Sequence, residues 1–174
     1  IPGYFCNEAL DPIRRLRMTL RFYPVLADLT PDWEALKKLG EGKSGAQVFV
    51  LVHYFGFPNA VLQAKAFCDQ YQMVLLEDAA HVLKPGGGIG NGDLSIFSPR
   101  KLLAVPSGGI LVASSDWATH LAEVSPQQGG KAETIRWLAR RFAQQIFLKL
   151  NVPWHRLRSV RQQDCSPNDT VELR

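Results

Sequence analysis

Two residues between positions 74 and 113 have the types and the placement for covalent chemistry on a carbonyl group: Asp78 and Lys101. Asp78 closes the apolar run Val74-Leu75-Leu76-Glu77-Asp78, which reads as a buried parallel strand with acid at its carboxyl end. Lys101 follows a second run, Leu94-Ser95-Ile96-Phe97-Ser98, through the turn Ser98-Pro99-Arg100-Lys101. Ligands of open α/β sheets sit at the carboxyl ends of the strands, so these two strands would deliver a carboxylate and an amine to one edge. An amine forms an imine with an aldehyde, and a carboxylate holds a proton on a ring nitrogen through a charge-assisted hydrogen bond. Pyridoxal phosphate asks a protein for that pair of groups.

Each residue also has a plainer reading. A lysine after a strand is usually a solvated surface group, and an aspartate at a strand end often serves as a cap. Glu77 falls on the opposite side of its strand from Asp78 by alternation and stays outside the candidate site. His53, at another strand end before Tyr54-Phe55-Gly56, reads as a packed histidine or as a group approaching the same edge.

The surrounding words narrow the choice. Glu77-Asp78-Ala79-Ala80-His81, Gly90-Asn91-Gly92-Asp93, Ser98-Pro99-Arg100-Lys101 and Gly108-Gly109 occur in that order. Together they resemble the DegT/DnrJ/EryC1/StrS family, fold-type-I pyridoxal phosphate enzymes best known as sugar aminotransferases; the likeness runs from Pro2 to about Trp117. The resemblance implies that Lys101 forms the Schiff base and that Asp78 faces the pyridine nitrogen. It places His81 near the cofactor's phenolic oxygen and Ser98, three residues before Lys101, as a phosphate-binding hydroxyl. The family commonly has an aromatic residue or His at that position and a Ser two residues earlier, where Ile96 stands here.

The implied reaction is amino transfer from an amino acid to a keto substrate, with a nucleotide-linked keto sugar as one candidate. Family members that dehydrate sugars tend to carry His in place of this Lys, so Lys101 favours the aminotransferase over the dehydratase. The rival reading is a non-catalytic, aminotransferase-like binding or oligomerisation module. A homodimer is expected from the resemblance, because fold-type-I sites usually form between two subunits. Members of the family have longer chains. The expectation is therefore a large domain incomplete at its amino terminus over residues 1–130, then a linking helix and the start of a small domain over 131–174, lacking most of that small domain.

Composition fits an ordinary folded domain: 174 residues, 46% hydrophobic and 21% charged, are globular values and do not indicate disorder. The net charge of +4 gathers in Arg136, Arg140, Arg141, Lys149, Arg156, Arg158 and Arg161, which reads as a solvated helix face. No aromatic-basic module accompanies it, so nucleic acid is not expected as a partner. Cys6, Cys68 and Cys165 form no CxxC pair, which argues against a zinc site and fits free thiols in a reducing cytoplasm. No run of about 18 apolar residues predicts a membrane span.

The elements that must position these groups read as an α/β fold: a mostly parallel sheet with helices on both faces. Asp11-Pro12 predicts a helix start, residues 21–28 a strand, and Thr30 the cap of a short helix over 31–39. Residues 47–53 predict a buried strand, and Asn59 the cap of a helix to about Gln72, with Ala60, Ala64, Phe67 and Tyr71 as its buried stripe. Gly42-Lys43-Ser44 lacks the spacing of a phosphate loop and reads as a charged turn. Residues 84–93, with five glycines, fail the dinucleotide-binding pattern and read as a mobile connector. Residues 109–113 predict a reversing strand, and residues 133–150 an amphipathic helix.

Overall fold

The structure, a computed structural model, describes residues 1–41, 45–124 and 130–149. Two compact units divide the chain, Ile1–Gly129 and Gly130–Arg174. The first contains α1 (Asn7–Arg15), α2 (Trp33–Glu41), β1 (Val48–Val52), α3 (Val61–Tyr71), β2 (Val74–Ala79), β3 (Leu94–Phe97), β4 (Ile110–Ala113) and α4 (Ser115–Leu121). The second contains α5 (Lys131–Lys149). The turn at Gly42-Lys43-Ser44 and the tail from residue 150 lie outside the described residues.

The four strands form one sheet in the order β1-β2-β3-β4, parallel except for the last pair. Val52 pairs with Asp78, Asp78 with Ile96, and Ile96 with Leu111, so these four side chains share one face. Phe49, Leu51 and Leu75 alternate to the other face. There they meet Leu36 of α2 and Val61, Ala64, Phe67 and Cys68 of α3 in the main core. Its centre is aromatic: the Phe49 ring lies 5.0 Å from that of Tyr23 and 5.5 Å from that of Phe67. Burial of those rings is the largest favourable contribution here. Tyr23 also donates its hydroxyl hydrogen to the Val50 carbonyl at 2.8 Å, which fixes the preceding loop to β1. Burial pushes the Tyr23 hydroxyl above its ordinary range, so it stays a donor at all relevant pH.

Several local expectations change. Residues 21–28 form no strand: they make only single bridges, Pro2 with Tyr23 and Val25 with Pro31. Pro24 has no N–H to give a ladder, and its carbonyl accepts the Asp32 N–H instead. The first helix starts at Asn7 and not at Pro12, with Glu8 in its first turn and Arg14 and Arg15 in its last, a charge order that suits the helix dipole. Pro12 is therefore interior. The second helix is capped by Asp32, whose Oδ1 accepts the Ala35 N–H at 3.0 Å; Thr30 instead donates its hydroxyl to Asp28. Asn59 stops one residue short of capping α3: its Nδ2 donates to the carbonyls of Leu29 and Val52, tying that helix start to the end of β1. The buried stripe of α3 accordingly begins at Val61, not Ala60.

The glycine-rich stretch 84–93 is anchored at its carboxyl end, while residues 84–88 are exposed. Glu77, buried on the face away from Asp78, accepts the Gly90 N–H at 2.9 Å and the Gly92 N–H, and the Ser95 hydroxyl at 3.3 Å. A Cβ on Gly92 would lie 2.9 Å from Glu77 Oε1 and 3.2 Å from Leu75 Cγ. Gly92→Ala is expected to cost about 1–3 kcal/mol of stability by overpacking, read as a lower urea midpoint. A wild-type midpoint would mean that the loop reseats without this contact.

Candidate active site

The carboxyl ends of β1, β2 and β3 open into a cleft of about 240 Å³ lined by Asp78, Ala80, His81 and Lys101, by the turn after β1, and by Tyr4, Phe5 and Cys6. The His53 N–H donates to the Asp78 carbonyl at 3.0 Å, extending the β1–β2 pairing one step and carrying residues 53–56 over the cleft.

Asp78 is half-buried. Its Oδ1 accepts the Ala80 N–H at 3.0 Å, which holds the carboxylate at the strand end and leaves Oδ2 without a hydrogen-bond partner among the described residues. Lys101 ends a short 3-10 turn, Pro99–Lys101, whose start is set by the fixed φ of Pro99; the Lys101 N–H donates to the Ser98 carbonyl at 3.0 Å. Its amine lies 3.3 Å from His81 Nε2. The structure thus brings Asp78, His81 and Lys101 into one cleft. Ser98 is half-buried at the head of the 3-10 turn and does not line it.

Two features went unrecognised in the sequence. One is the aromatic cover: Phe55, at φ 57°, lays its ring parallel to that of His81, 7° between planes and 6.3 Å between centroids. Gly56 follows at φ +87°, where a Cβ would meet the His81 carbonyl oxygen at 2.9 Å. The signal was the word His53-Tyr54-Phe55-Gly56 at a strand's carboxyl end. Tyr54 donates its hydroxyl to the Tyr4 carbonyl, and burial together with the Tyr4 and Asp78 charges pushes that hydroxyl up to about 12.

The second is the buried pair behind the cleft. His53 Nδ1 accepts the Asn59 N–H at 3.0 Å, so the ring carries its proton on Nε2 and donates it to Glu77 Oε2 at 2.7 Å. Burial pushes the Glu77 carboxyl up, but the hydrogen bonds from His53, Gly90 and Gly92 outweigh it and hold the group below its ordinary value. Both nitrogens of His53 are thereby committed, and this histidine is structural. No group of three or more His, Cys, Asp or Glu residues suited to a metal ion occurs among the described residues, and no described helix is long and apolar enough to cross a membrane.

A mostly parallel α/β sheet with an acid and an amine at its carboxyl edge is the large-domain architecture of fold-type-I pyridoxal phosphate enzymes. The sequence pattern of the DegT/DnrJ/EryC1/StrS aminotransferase family matches residues 12–146, and the chain belongs to that family, whose cofactor is pyridoxal phosphate. Among solved structures it is similar to a GDP-4-keto-6-deoxymannose-3-dehydratase, a mutant with bound GDP-perosamine, at 17% identity and a TM-score of 0.53 over 76% of this chain and 40% of that one. An aminotransferase from Psychrobacter cryohalolentis is similar at 16% identity and 0.52, over 75% and 38%. The E. coli GDP-4-keto-6-deoxy-D-mannose-3-dehydratase with bound hydrated PLP gives 19% identity and 0.48, over 70% and 32%. The chain therefore spans two fifths or less of these three chains. No curated protein matches it.

The cleft fits the family cofactor on its donor set. Lys101 would offer an amine for an aldehyde carbon and Asp78 a carboxylate oxygen for a ring N–H, and neither a metal cluster nor a second carboxylate competes for that end among the described residues.

Proposed function

We propose that this chain is the cofactor-binding part of a pyridoxal phosphate-dependent aminotransferase that moves an amino group from an amino acid to a small keto substrate. The observation that carries the reading is the convergence of the Lys101 amine and the Asp78 carboxylate on one cleft in a member of this family. When bound, the cofactor supplies an aldehyde carbon and an electron-withdrawing ring. Lys101 Nζ would hold the aldehyde carbon and, when free, would be the base placed to move a proton at the substrate carbon. Asp78 Oδ2 would accept the N–H of the cofactor ring, with Oδ1 anchored on Ala80. His81 borders the amine, and Ser98, at the head of the Lys101 turn, is the candidate phosphate hydroxyl.

A nucleotide-linked keto sugar is the acceptor class we favour, and Lys101 in place of a histidine supports amino transfer over dehydration. We further propose a cytoplasmic homodimer, with residues 1–130 in the large domain and 131–174 leading into the small one.

Borohydride reduction after addition of pyridoxal phosphate tests the reading, with peptide mass spectrometry to locate the adduct on this chain and on its Lys101→Ala variant. A cofactor adduct confined to Lys101, and absent from the variant, is the expected result. Labelling spread over surface lysines with Lys101 unmodified would leave the non-catalytic binding module as the better account.

A further inference from the structure

We propose that His81 is the proton carrier of Lys101: its Nε2 accepts the proton that the Lys101 amine releases on adding to a carbonyl carbon and passes it to the carbonyl oxygen. This rests on the reading of Lys101 as the imine-forming amine. A base that serves this step must reach the amine nitrogen, have a free lone pair, and be held in place. His81 Nε2 lies 3.3 Å from Lys101 Nζ, just beyond the reach of about 2.6–3.2 Å for proton transfer.

Phe55 stacks parallel on the exposed ring, and the close packing of Gly56 on the His81 carbonyl fixes the backbone that carries it. Phe55 sits at φ 57° and ψ 14°, a region that a bulky aromatic residue otherwise avoids, inside a turn closed by the Gly56 N–H on the His53 carbonyl and the Phe57 N–H on the Tyr54 carbonyl.

The other cleft groups are spoken for or differently suited. His53 has both nitrogens engaged, with Asn59 and Glu77. Asp78 is anchored on Ala80 at one oxygen, and the proposed function gives its other oxygen to the cofactor ring. Tyr54 gives its hydroxyl hydrogen to the Tyr4 carbonyl, and burial keeps it protonated. Cys6 also lines the cleft, but it heads α1 and makes no hydrogen bond to the amine among the described residues.

The step balances without an outside reagent. The nitrogen lone pair forms the C–N bond and the carbonyl π pair moves to oxygen. Both amine hydrogens finish on that oxygen, which leaves as water once the second C–N bond forms. His81 Nε2 carries them across one at a time and ends as it began.

The experiment measures the rate of borohydride-trapped adduct formation at Lys101 by quenched-flow peptide mass spectrometry at one fixed neutral pH. Two probes are used, pyridoxal phosphate and acetaldehyde, on wild type, His81→Ala and His81→Gln, with far-ultraviolet circular dichroism confirming the fold. Both variants are expected to label Lys101 about 100-fold more slowly. Added imidazole should restore the rate of His81→Ala in proportion to its concentration and leave His81→Gln, whose side chain fills the space, slow.

Wild-type rates in both variants would overturn the proposal, and so would slow labelling that imidazole does not restore, since a positioning role alone gives that outcome. The readouts separate the two readings. Acetaldehyde labelling that depends on His81, without any pyridoxal phosphate adduct at Lys101, would uphold the proton carrier and sink the cofactor assignment. A Lys101 cofactor adduct indifferent to His81 would do the reverse.

Discussion

Glu77→Ala is expected to remove about 3–5 kcal/mol of folding free energy, a large part of the roughly 5–15 kcal/mol that a domain possesses. The side chain is fully buried, so the truncation strands its partners where water cannot replace it. These are the His53 Nε2–H, the N–H groups of Gly90 and Gly92, and the Ser95 hydroxyl. Unmade hydrogen bonds of this kind cost about 1–3 kcal/mol each. Glu77→Gln keeps one acceptor oxygen for the glycine loop but places an NH2 group against donors, so an intermediate loss is expected. Urea denaturation at pH 7 reads both, and an alanine variant within about 0.5 kcal/mol of wild type would show that the loop, not the carboxylate, maintains the arrangement.

The same group predicts an acid limb. Its folded-state value lies below the ordinary one, so the unfolded chain takes up the proton first as pH falls. The stabilisation is then complete above the unfolded value of about 4.3 and disappears as pH drops through the folded value. Wild type should lose stability over that window more steeply than Glu77→Gln, and parallel curves would place the carboxylate's contribution elsewhere.

This pair also shows where sequence reading succeeded and where it stopped. The strands β1 to β4, their parallel order and the reversal at β4 were legible, because continuous apolar runs bounded by turns leave few alternatives to a covered parallel sheet. The shared face of Asp78 and Ile96 follows from register alone. Alternation turned Glu77 away from the site correctly, yet said nothing about what a charged group does inside the core. Its partners come from residues 53, 90, 92 and 95, across two loops, and no local pattern encodes such a meeting. Glycine count suggested mobility at 84–93, whereas Gly92 is small because Glu77 occupies the space beside it. Pro12 and Thr30 misled for the opposite reason: each carries a strong local signal, but the first helix already runs from Asn7 and Asp32 supplies the cap of the second. At the cleft, strand ends pointed to Asp78 and Lys101 and the resemblance added His81, and these three residues line it together. The Phe55 stack depends on one left-handed backbone angle that composition does not announce.

Asp78→Asn is expected to weaken pyridoxal phosphate binding by about 10- to 100-fold, the equivalent of the 1.5–3 kcal/mol carried by a hydrogen bond to a charged group. The asparagine retains an oxygen for the Ala80 N–H, so the strand end keeps its anchor and the change falls on the second oxygen, where an anionic acceptor becomes an NH2 donor. Equilibrium titration followed by the cofactor's absorbance gives the affinity, and trapping at Lys101 reports whether the amine still reaches it. A cofactor analogue with carbon in place of the ring nitrogen isolates the contact. Wild type should bind the analogue more weakly than pyridoxal phosphate by the same factor, because its carboxylate then faces a C–H group. Asp78→Asn should discriminate little between the two, since the interaction lost in the analogue is already missing from the protein. Equal discrimination by wild type and variant would mean that Asp78 does not face the ring nitrogen, and the strand-end carboxylate would then be a purely local anchor for residues 79–81.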